Sequence, residues 1–298
     1  MLRHGHLLRL KRKPKIRPWE KLETILTFRS ECEEGARKFG KLPLGIRVES
    51  LSIGAMRADW IIPKQAAPNK AILFAHGGGY VSGSCSDHQT HVAKFAEATG
   101  LRALLYEYRL APEHPYPAAL EDSVTAYQWL LDQGFTSRNI AFIGDSAGGG
   151  LCLTLLLALK ERGITLPAAA VAVSPWTDLS CSGQAYFENA ARCLSPQGCW
   201  QAFAAHYTAG HDPRDPMVSP LFGDLEGLPP LFITAGDQEI LLDDASGFAS
   251  KAREAGVAVT LKIGQGLFHC YPVCGNLFPE AAEAMREIAD FVKAHVAR

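Results

Sequence analysis

Residues Ile140-Ala-Phe-Ile-Gly-Asp-Ser-Ala-Gly-Gly-Gly-Leu151 read as a short apolar strand, a turn of small residues and the start of an apolar helix. Within them, Gly144-Asp145-Ser146-Ala147-Gly148 fits the G-x-S-x-G pattern of a nucleophile elbow. The residue types answer a chemical need. A serine hydroxyl is a weak nucleophile and must stand clear of the backbone to reach a carbonyl carbon. A sharp strand-to-helix turn lifts it there, and flanking glycines let strand and helix pass without side-chain clash.

On either side of this stretch the chain alternates strand and helix. Ala71-Ile-Leu-Phe-Ala75 is a continuous apolar strand running into His76-Gly77-Gly78-Gly79-Tyr80. The pattern then predicts a helix over 87–99, a strand over 102–106 and a helix over 118–131. Beyond the elbow, strands are expected at 168–173, 231–235 and 257–263, with helices over 241–255 and 279–296. This order predicts an α/β fold: a mostly parallel sheet with helices on both faces. Upstream, 48–53 and 56–62 read as a hairpin turning at Gly54-Ala55. Residues 1–45 are charged, helix-prone and broken by Pro14, Pro18 and Pro43. They carry an apolar stripe of Trp19, Leu22, Ile25, Leu26 and Phe28 beside Arg29. Between about 182 and 227 the alternation lapses. That segment reads as an insertion over the sheet, with a helix starting at Ser195-Pro196.

The totals exclude several classes. A chain of 298 residues, 47 % of them hydrophobic, is expected to form one large domain around a sizeable core. A net charge of -1 supplies no field for nucleic acid. No apolar run approaches the roughly 20 residues needed to span a bilayer, so no integral membrane association is expected. The basic stretch Arg3, Arg9, Lys11, Arg12, Lys13, Lys15 and Arg17 lacks the apolar core of a secretory signal and reads as a solvated amphipathic arm. The eight cysteines show no paired framework. Cys193 and Cys199, or Cys270 and Cys274, lack the second pair and the histidines of a zinc site. They read as reduced thiols of a cytoplasmic protein.

A nucleophilic serine needs a base, an acid that orients the base, and donors for the oxyanion. In this fold type the chain order is serine, acid, histidine. Downstream of Ser146, His269 alone follows a late strand, in Gly264-Gln-Gly-Leu-Phe-His269. His206 and His211 fall in the insertion, and His295 in the last helix; these three read as surface or capping residues. The acid is expected after the preceding strand, in Ala235-Gly-Asp237-Gln-Glu239-Ile-Leu-Leu-Asp243-Asp244. Asp243 and Asp244 suit a helix N-terminus, which leaves Asp237 and Glu239 as alternatives. The oxyanion donors are expected from the N–H of Ala147 and from the glycine run after His76.

Five blocks of the sequence resemble the hormone-sensitive-lipase-like family of α/β-hydrolases, in its bacterial carboxylesterase branch. They are His76-Gly-Gly-Gly-Tyr80; Tyr108-Arg-Leu-Ala-Pro-Glu113 with Pro115-Tyr-Pro-Ala-Ala-Leu-Glu-Asp122; Gly144-Asp-Ser-Ala-Gly-Gly149; Ser174-Pro-Trp-Thr-Asp178; and Leu228-Pro-Pro230. The resemblance runs from about residue 45 to the end. It implies an α/β-hydrolase domain over 46–298, with a cap built from residues 1–45 and the 182–227 insertion. It implies Ser146 as nucleophile, His269 as base, Gly78, Gly79 and Ala147 as oxyanion donors, and Gly77 as shaping the same hole. Arg109 and Glu113 are implied to form a buried ion pair behind that loop, with Asp145 orienting it. One position departs from the family. Where aspartate is usual, the run is Glu239-Ile-Leu-Leu-Asp243, which makes Glu239 the acid and Asp237 the alternative. The implied activity is hydrolysis of short, uncharged acyl esters with no metal or organic cofactor. The substrate would be a small-molecule ester, and the family's habit implies a homodimer. An amidase or formamidase, a lipase, and a non-catalytic ligand receptor are the alternatives on the same scaffold.

Overall fold

The computed structural model describes residues 17–196 and 198–296. Apart from Arg17, the basic arm expected at the N-terminus lies outside the described residues.

Eight strands form one sheet: β1 (Ile46–Ile53), β2 (Met56–Pro63), β3 (Ala71–Ala75), β4 (Arg102–Tyr106), β5 (Ile140–Asp145), β6 (Ala169–Val173), β7 (Leu231–Gly236) and β8 (Val259–Gly264). Their order is β1-β2-β4-β3-β5-β6-β7-β8. The β1–β2 hairpin and the β2–β4 pair are antiparallel; from β4 to β8 every pair is parallel. Strands β3, β5, β6 and β7 are buried along their whole length, as expected of a sheet covered on both faces.

Residues alternate between those faces. Leu73, Phe142, Ala172 and Ile233 point into one core cluster with Leu120, Leu151 and Phe248. Those three come from α3 (Ala118–Asp132), α4 (Ala147–Glu161) and α7 (Leu242–Glu254). Phe74, Ile143, Val171 and Phe232 point into the other, with Phe95 of α2 (Cys85–Thr99) and Ile288 of α8 (Pro279–His295). The periodicities thus placed these elements within a few residues of their observed ends. Ser84 starts α2 two residues earlier than expected, because it and Asp87 form a capping box.

After β3 the chain crosses to β4 on one side, and all later parallel strands build on the other. The strand order therefore reverses between β3 and β5, which is where an open α/β sheet forms its ligand crevice. Register brings the carboxyl ends level there. Ala75 pairs with Gly144, Asp145 with Val173, Val173 with Thr234, and Gly236 with Gly264. The loops that begin at residues 76, 146, 174, 237 and 265 consequently emerge along one edge.

The remaining elements are α1 (Leu22–Phe39), α5 (Ala185–Glu188) and α6 (Cys199–Thr208). Trp19 and Ile25 of the N-terminal stripe are buried, but Leu22 and Leu26 are exposed, so the apolar face is narrower than the sequence implied. The helix expected at Ser195-Pro196 starts instead at Cys199. Gly198, at φ 73°, breaks the turn, and Ser195 Oγ accepts from Cys193 Sγ rather than capping.

Two histidines on the α2 side of the sheet carry a pH dependence. Burial, reinforced by the charge of His88, pushes His76 and His91 down to about 3. Both are therefore neutral in the fold. In an unfolded chain they would protonate near about 6.5. Their contribution is complete above that value and drains away as pH falls toward about 3, since the unfolded chain binds the extra protons. His91→Gln removes one such group. Between about pH 7 and about pH 4.5 its denaturation midpoint is expected to fall less than the parent's; an equal or steeper fall would contradict this account.

Candidate active site

The elbow is built as its residues demand. Ser146 sits between β5 and α4 at φ 56° and ψ -123°, a conformation a non-glycine residue holds at a cost of about 1–3 kcal/mol. The surroundings impose it. Ser146 N–H donates to Val173 O at 2.8 Å, and its carbonyl accepts from Trp176 N–H at 3.0 Å and Gly150 N–H at 3.1 Å. Gly148 is required by close approach: a Cβ there would stand 2.1 Å from Ala75 O on the neighbouring strand.

The loop after β3 lies alongside. Gly77 N–H donates to Asp145 Oδ1 at 3.2 Å, so Asp145 does orient this loop and Gly77 is committed to it. Burial pushes the Asp145 carboxyl up, while the charge of His88 opposes that shift. From behind, Tyr108 Oη donates to His76 O at 2.8 Å, and its ring stacks on His76 at 4.1 Å. Gly78, at φ 117°, accepts from Val81 N–H and Ser82 N–H, which closes a tight turn. A Cβ on Gly78 would lie 2.2 Å from Ser82 O. The N–H groups of Gly78 and Gly79 bond no other group among the described residues. Ala147 is the first residue of α4, where a helix leaves its N–H groups unpaired.

Base and acid come from the next two loops. His269 Nε2 is 3.0 Å from Ser146 Oγ. Its Nδ1 is hydrogen-bonded to Glu239 Oε2. A carboxylate can only accept, so Nδ1 carries the proton and Nε2 is free to accept from the serine. Glu239 is fully buried. Its Oε1 accepts from Ser174 Oγ at 2.8 Å and from Gly236 N–H at 2.7 Å. Asp237 is elsewhere. Its Oδ1 accepts from Gly266 N–H at 2.7 Å and from Gln238 Nε2 at 2.9 Å, holding the turn that leads to His269.

Two helices outside the sheet close on this edge. On α6, the Trp200 ring meets His269 edge-on at 5.8 Å, and Phe203 packs where a Cβ of Gly79 would stand, at 2.4 Å. Trp19 contacts Phe203 at 5.3 Å and Phe28 of α1 at 5.5 Å, so a single aromatic cluster joins both segments. His206 Nε2 donates to Trp19 O at 2.8 Å, which ties α6 to the chain entering α1. His211 meets the ring of Tyr116, and His295 Nδ1 donates to Phe291 O in the last turn of α8.

One sequence reading is corrected here. Arg109 and Glu113 do not pair with each other. Arg109 is half-exposed and binds Asp122 through its backbone N–H and its guanidinium. Glu113 receives Arg29 of α1 in a two-point pair at 2.8 and 2.7 Å. Arg29 also donates to Val81 O at 2.6 Å and Ala111 O at 2.8 Å, so the N-terminal helix is bolted to the turn beyond Gly79. Asp243 and Asp244 lie in the first turn of α7, as expected, and also hold the chain after β6: Asp244 Oδ2 accepts from Thr177 N–H and Asp178 N–H, and Asp243 from Ala185 N–H. Sequence reasoning met Ser174 only within the Ser174-Pro-Trp-Thr-Asp178 block and gave it no role, and it did not single out Trp200 or Phe203. Arg29 gave a faint signal, as a charge at the edge of an apolar stripe. All eight cysteines are free. Among the described residues no cluster of three or more His, Cys, Asp or Glu side chains could hold a metal ion, and no helix is long and apolar enough to cross a membrane.

Comparison with known proteins gives the context. A family model described as alpha/beta hydrolase fold matches residues 72–273. An acetyl-hydrolase of Streptomyces hygroscopicus is 39% identical over 244 residues, covering 82% of this chain and 81% of that one. An esterase of Acinetobacter venetianus is 36% identical over 266 residues, 89% of this chain and 87% of the other. A crystal structure of an esterase from the bacterial hormone-sensitive lipase family superimposes with a TM-score of 0.88 at 38% identity, covering 92% of each chain.

Proposed function

The chain belongs to the α/β-hydrolase family, in its bacterial hormone-sensitive-lipase-like branch, and from that premise we propose that it is a serine carboxylesterase of short, uncharged acyl esters. The observation that carries this reading is the unbroken hydrogen-bonded run Ser146–His269–Glu239 at the switch point of the sheet.

In this reading Ser146 Oγ attacks the ester carbonyl as its proton passes to His269 Nε2. Glu239 holds the ring in the required tautomer and stabilises the imidazolium that forms. The carbonyl oxygen becomes an oxyanion facing the N–H groups of Gly78, Gly79 and Ala147. Each well-placed donor of this kind contributes about 3 kcal/mol to the transition state. The intermediate collapses, the alcohol leaves with the proton from His269, and water repeats the sequence on the acyl-enzyme. The same proposal gives α1 and residues 182–227 the role of a cap. Its support is the Trp19–Phe28–Phe203 cluster, through which Phe203 leans on Gly79, together with the Trp200 ring against His269. Relatives named acetyl-hydrolase and esterase support the same substrate class. The free thiols are consistent with a cytoplasmic enzyme.

The test is a rate profile over nitrophenyl esters from acetyl to dodecanoyl, with a matched anilide series alongside. In this reading the Trp200 ring beside His269 and the Phe203 ring beside Gly79 form the wall that limits acyl length. We expect kcat/KM to peak among the shortest esters, fall steeply through the medium chains and be far lower for every anilide. A maximum at the long chains, or anilides matching esters, would overturn the proposal.

A further inference from the structure

We propose that Ser174 is a positioning residue of the catalytic apparatus, locking the buried acid and the base into one geometry through a single hydroxyl. The inference rests on the triad reading above and adds a member to it that touches neither substrate nor Ser146.

The argument begins with the acid. Glutamate has one more rotatable bond than the aspartate usual at this place, so its carboxylate needs more restraint to face the imidazole squarely. Glu239 is fully buried, and a buried carboxylate must have its oxygens satisfied. Oε1 is held by two donors, Ser174 Oγ–H at 2.8 Å and Gly236 N–H at 2.7 Å. With Oε1 fixed, Oε2 is the oxygen presented to His269 Nδ1. Gly236 is rigid strand backbone; the other restraint is the serine hydroxyl.

That hydroxyl also accepts. Cys270 N–H donates to Ser174 Oγ at 3.0 Å, and Cys270 is the residue next to the base. One oxygen thus spends its proton on the acid and a lone pair on the backbone that carries the histidine. The chain places it there at some cost. Ser174 is fully buried and sits at φ 49°, directly beyond β6, with its N–H bonded to Thr234 O on β7 at 2.6 Å. A non-glycine residue held in that conformation by its surroundings is typical of a functional site. Cys270 is in the left-handed region too, at φ 57°, so both ends of this bond are set by strained backbone.

Two variants test the proposal. Ser174→Ala removes the hydroxyl and keeps the strain; Ser174→Gly removes the hydroxyl and relieves it. A misplacement of the acid–base pair by about 1 Å costs about 10²-fold. We expect both variants to lose kcat by roughly that factor, with KM little changed and with midpoints of thermal unfolding that differ from each other. The same substitutions in a Glu239→Gln background should add little further loss, because the group they act through is already gone. With Glu239 intact, the low-field proton resonance of His269 Nδ1–H should move or broaden in both variants relative to the parent. Losses that multiply with Glu239→Gln, losses that follow thermal stability rather than the hydroxyl, or wild-type kcat in either variant would overturn the role of Ser174. Turnover in Ser146→Ala well above the trace rate that the oxyanion donors alone sustain would sink the triad reading itself. Normal turnover in Ser174→Ala beside an inactive Ser146→Ala would sink only the role of Ser174.

Discussion

Ser146→Ala is expected to lower kcat on nitrophenyl acetate by about 10⁶, the scale of loss when a serine hydrolase forfeits its nucleophile. The physical case for a clean result is strong. The substitution deletes one oxygen whose recorded side-chain bond is to His269, and it leaves the backbone bonds to Val173, Trp176 and Gly150 in place. Alanine meets the same strained φ and ψ as serine, so the elbow should persist and the unfolding midpoint should stay close to the parent's. The oxyanion donors remain, which predicts a trace rate above that of water alone rather than none. Turnover well above that trace in the purified variant would remove Ser146 from the chemistry.

Glu239→Gln should cost about 10⁴ in kcat, whereas Asp237→Asn should stay within a few-fold of the parent. The first expectation follows from the two donors on Oε1. An amide placed there must turn its oxygen toward Ser174 Oγ–H and Gly236 N–H, which leaves its NH₂ facing His269 Nδ1. Nδ1 would then have to accept, and the ring proton would move to Nε2, where it meets the serine hydroxyl. The base would be present in the wrong tautomer. Asp237 has no such connection. Its Oδ1 accepts from Gly266 N–H and Gln238 Nε2, and an asparagine oxygen can do the same. Steady-state kinetics of the two variants side by side decides the matter. An inactive Asp237→Asn beside an active Glu239→Gln would reverse the assignment of the acid.

Much of this was legible in the chain. Elbow, glycine loop and late histidine each declare themselves locally, because the chemistry needs particular residue types next to particular strand ends. Strand and helix runs were read from periodicity alone, and they put His76, Ser146, Asp237, Glu239 and His269 on loops at carboxyl edges. The misreading came from the resemblance, which implied a buried pair between Arg109 and Glu113; each found its partner elsewhere, in Asp122 and in Arg29 of a helix more than eighty residues away. Asp243 and Asp244 do stand in the first turn of α7, as read, and they also hold the chain after β6, which no local pattern announced.

Short-range pattern sufficed for the fold, through a strand-turn-helix with small residues and an apolar alternation that suits a covered parallel sheet, and it marked Ser146 as the candidate nucleophile. The resemblance favoured Glu239 over Asp237; tertiary structure supplied its hydrogen bond with His269 and the bonds that Ser174 makes to Glu239 and Cys270. Those facts depend on the register of β6, β7 and β8, which brings the loops after residues 173, 236 and 264 within hydrogen-bond distance. A hydrogen bond requires its partners within about 3 Å and correctly directed. No spacing along the chain encodes that condition when the partners are 65 residues apart, as Ser174 and Glu239 are.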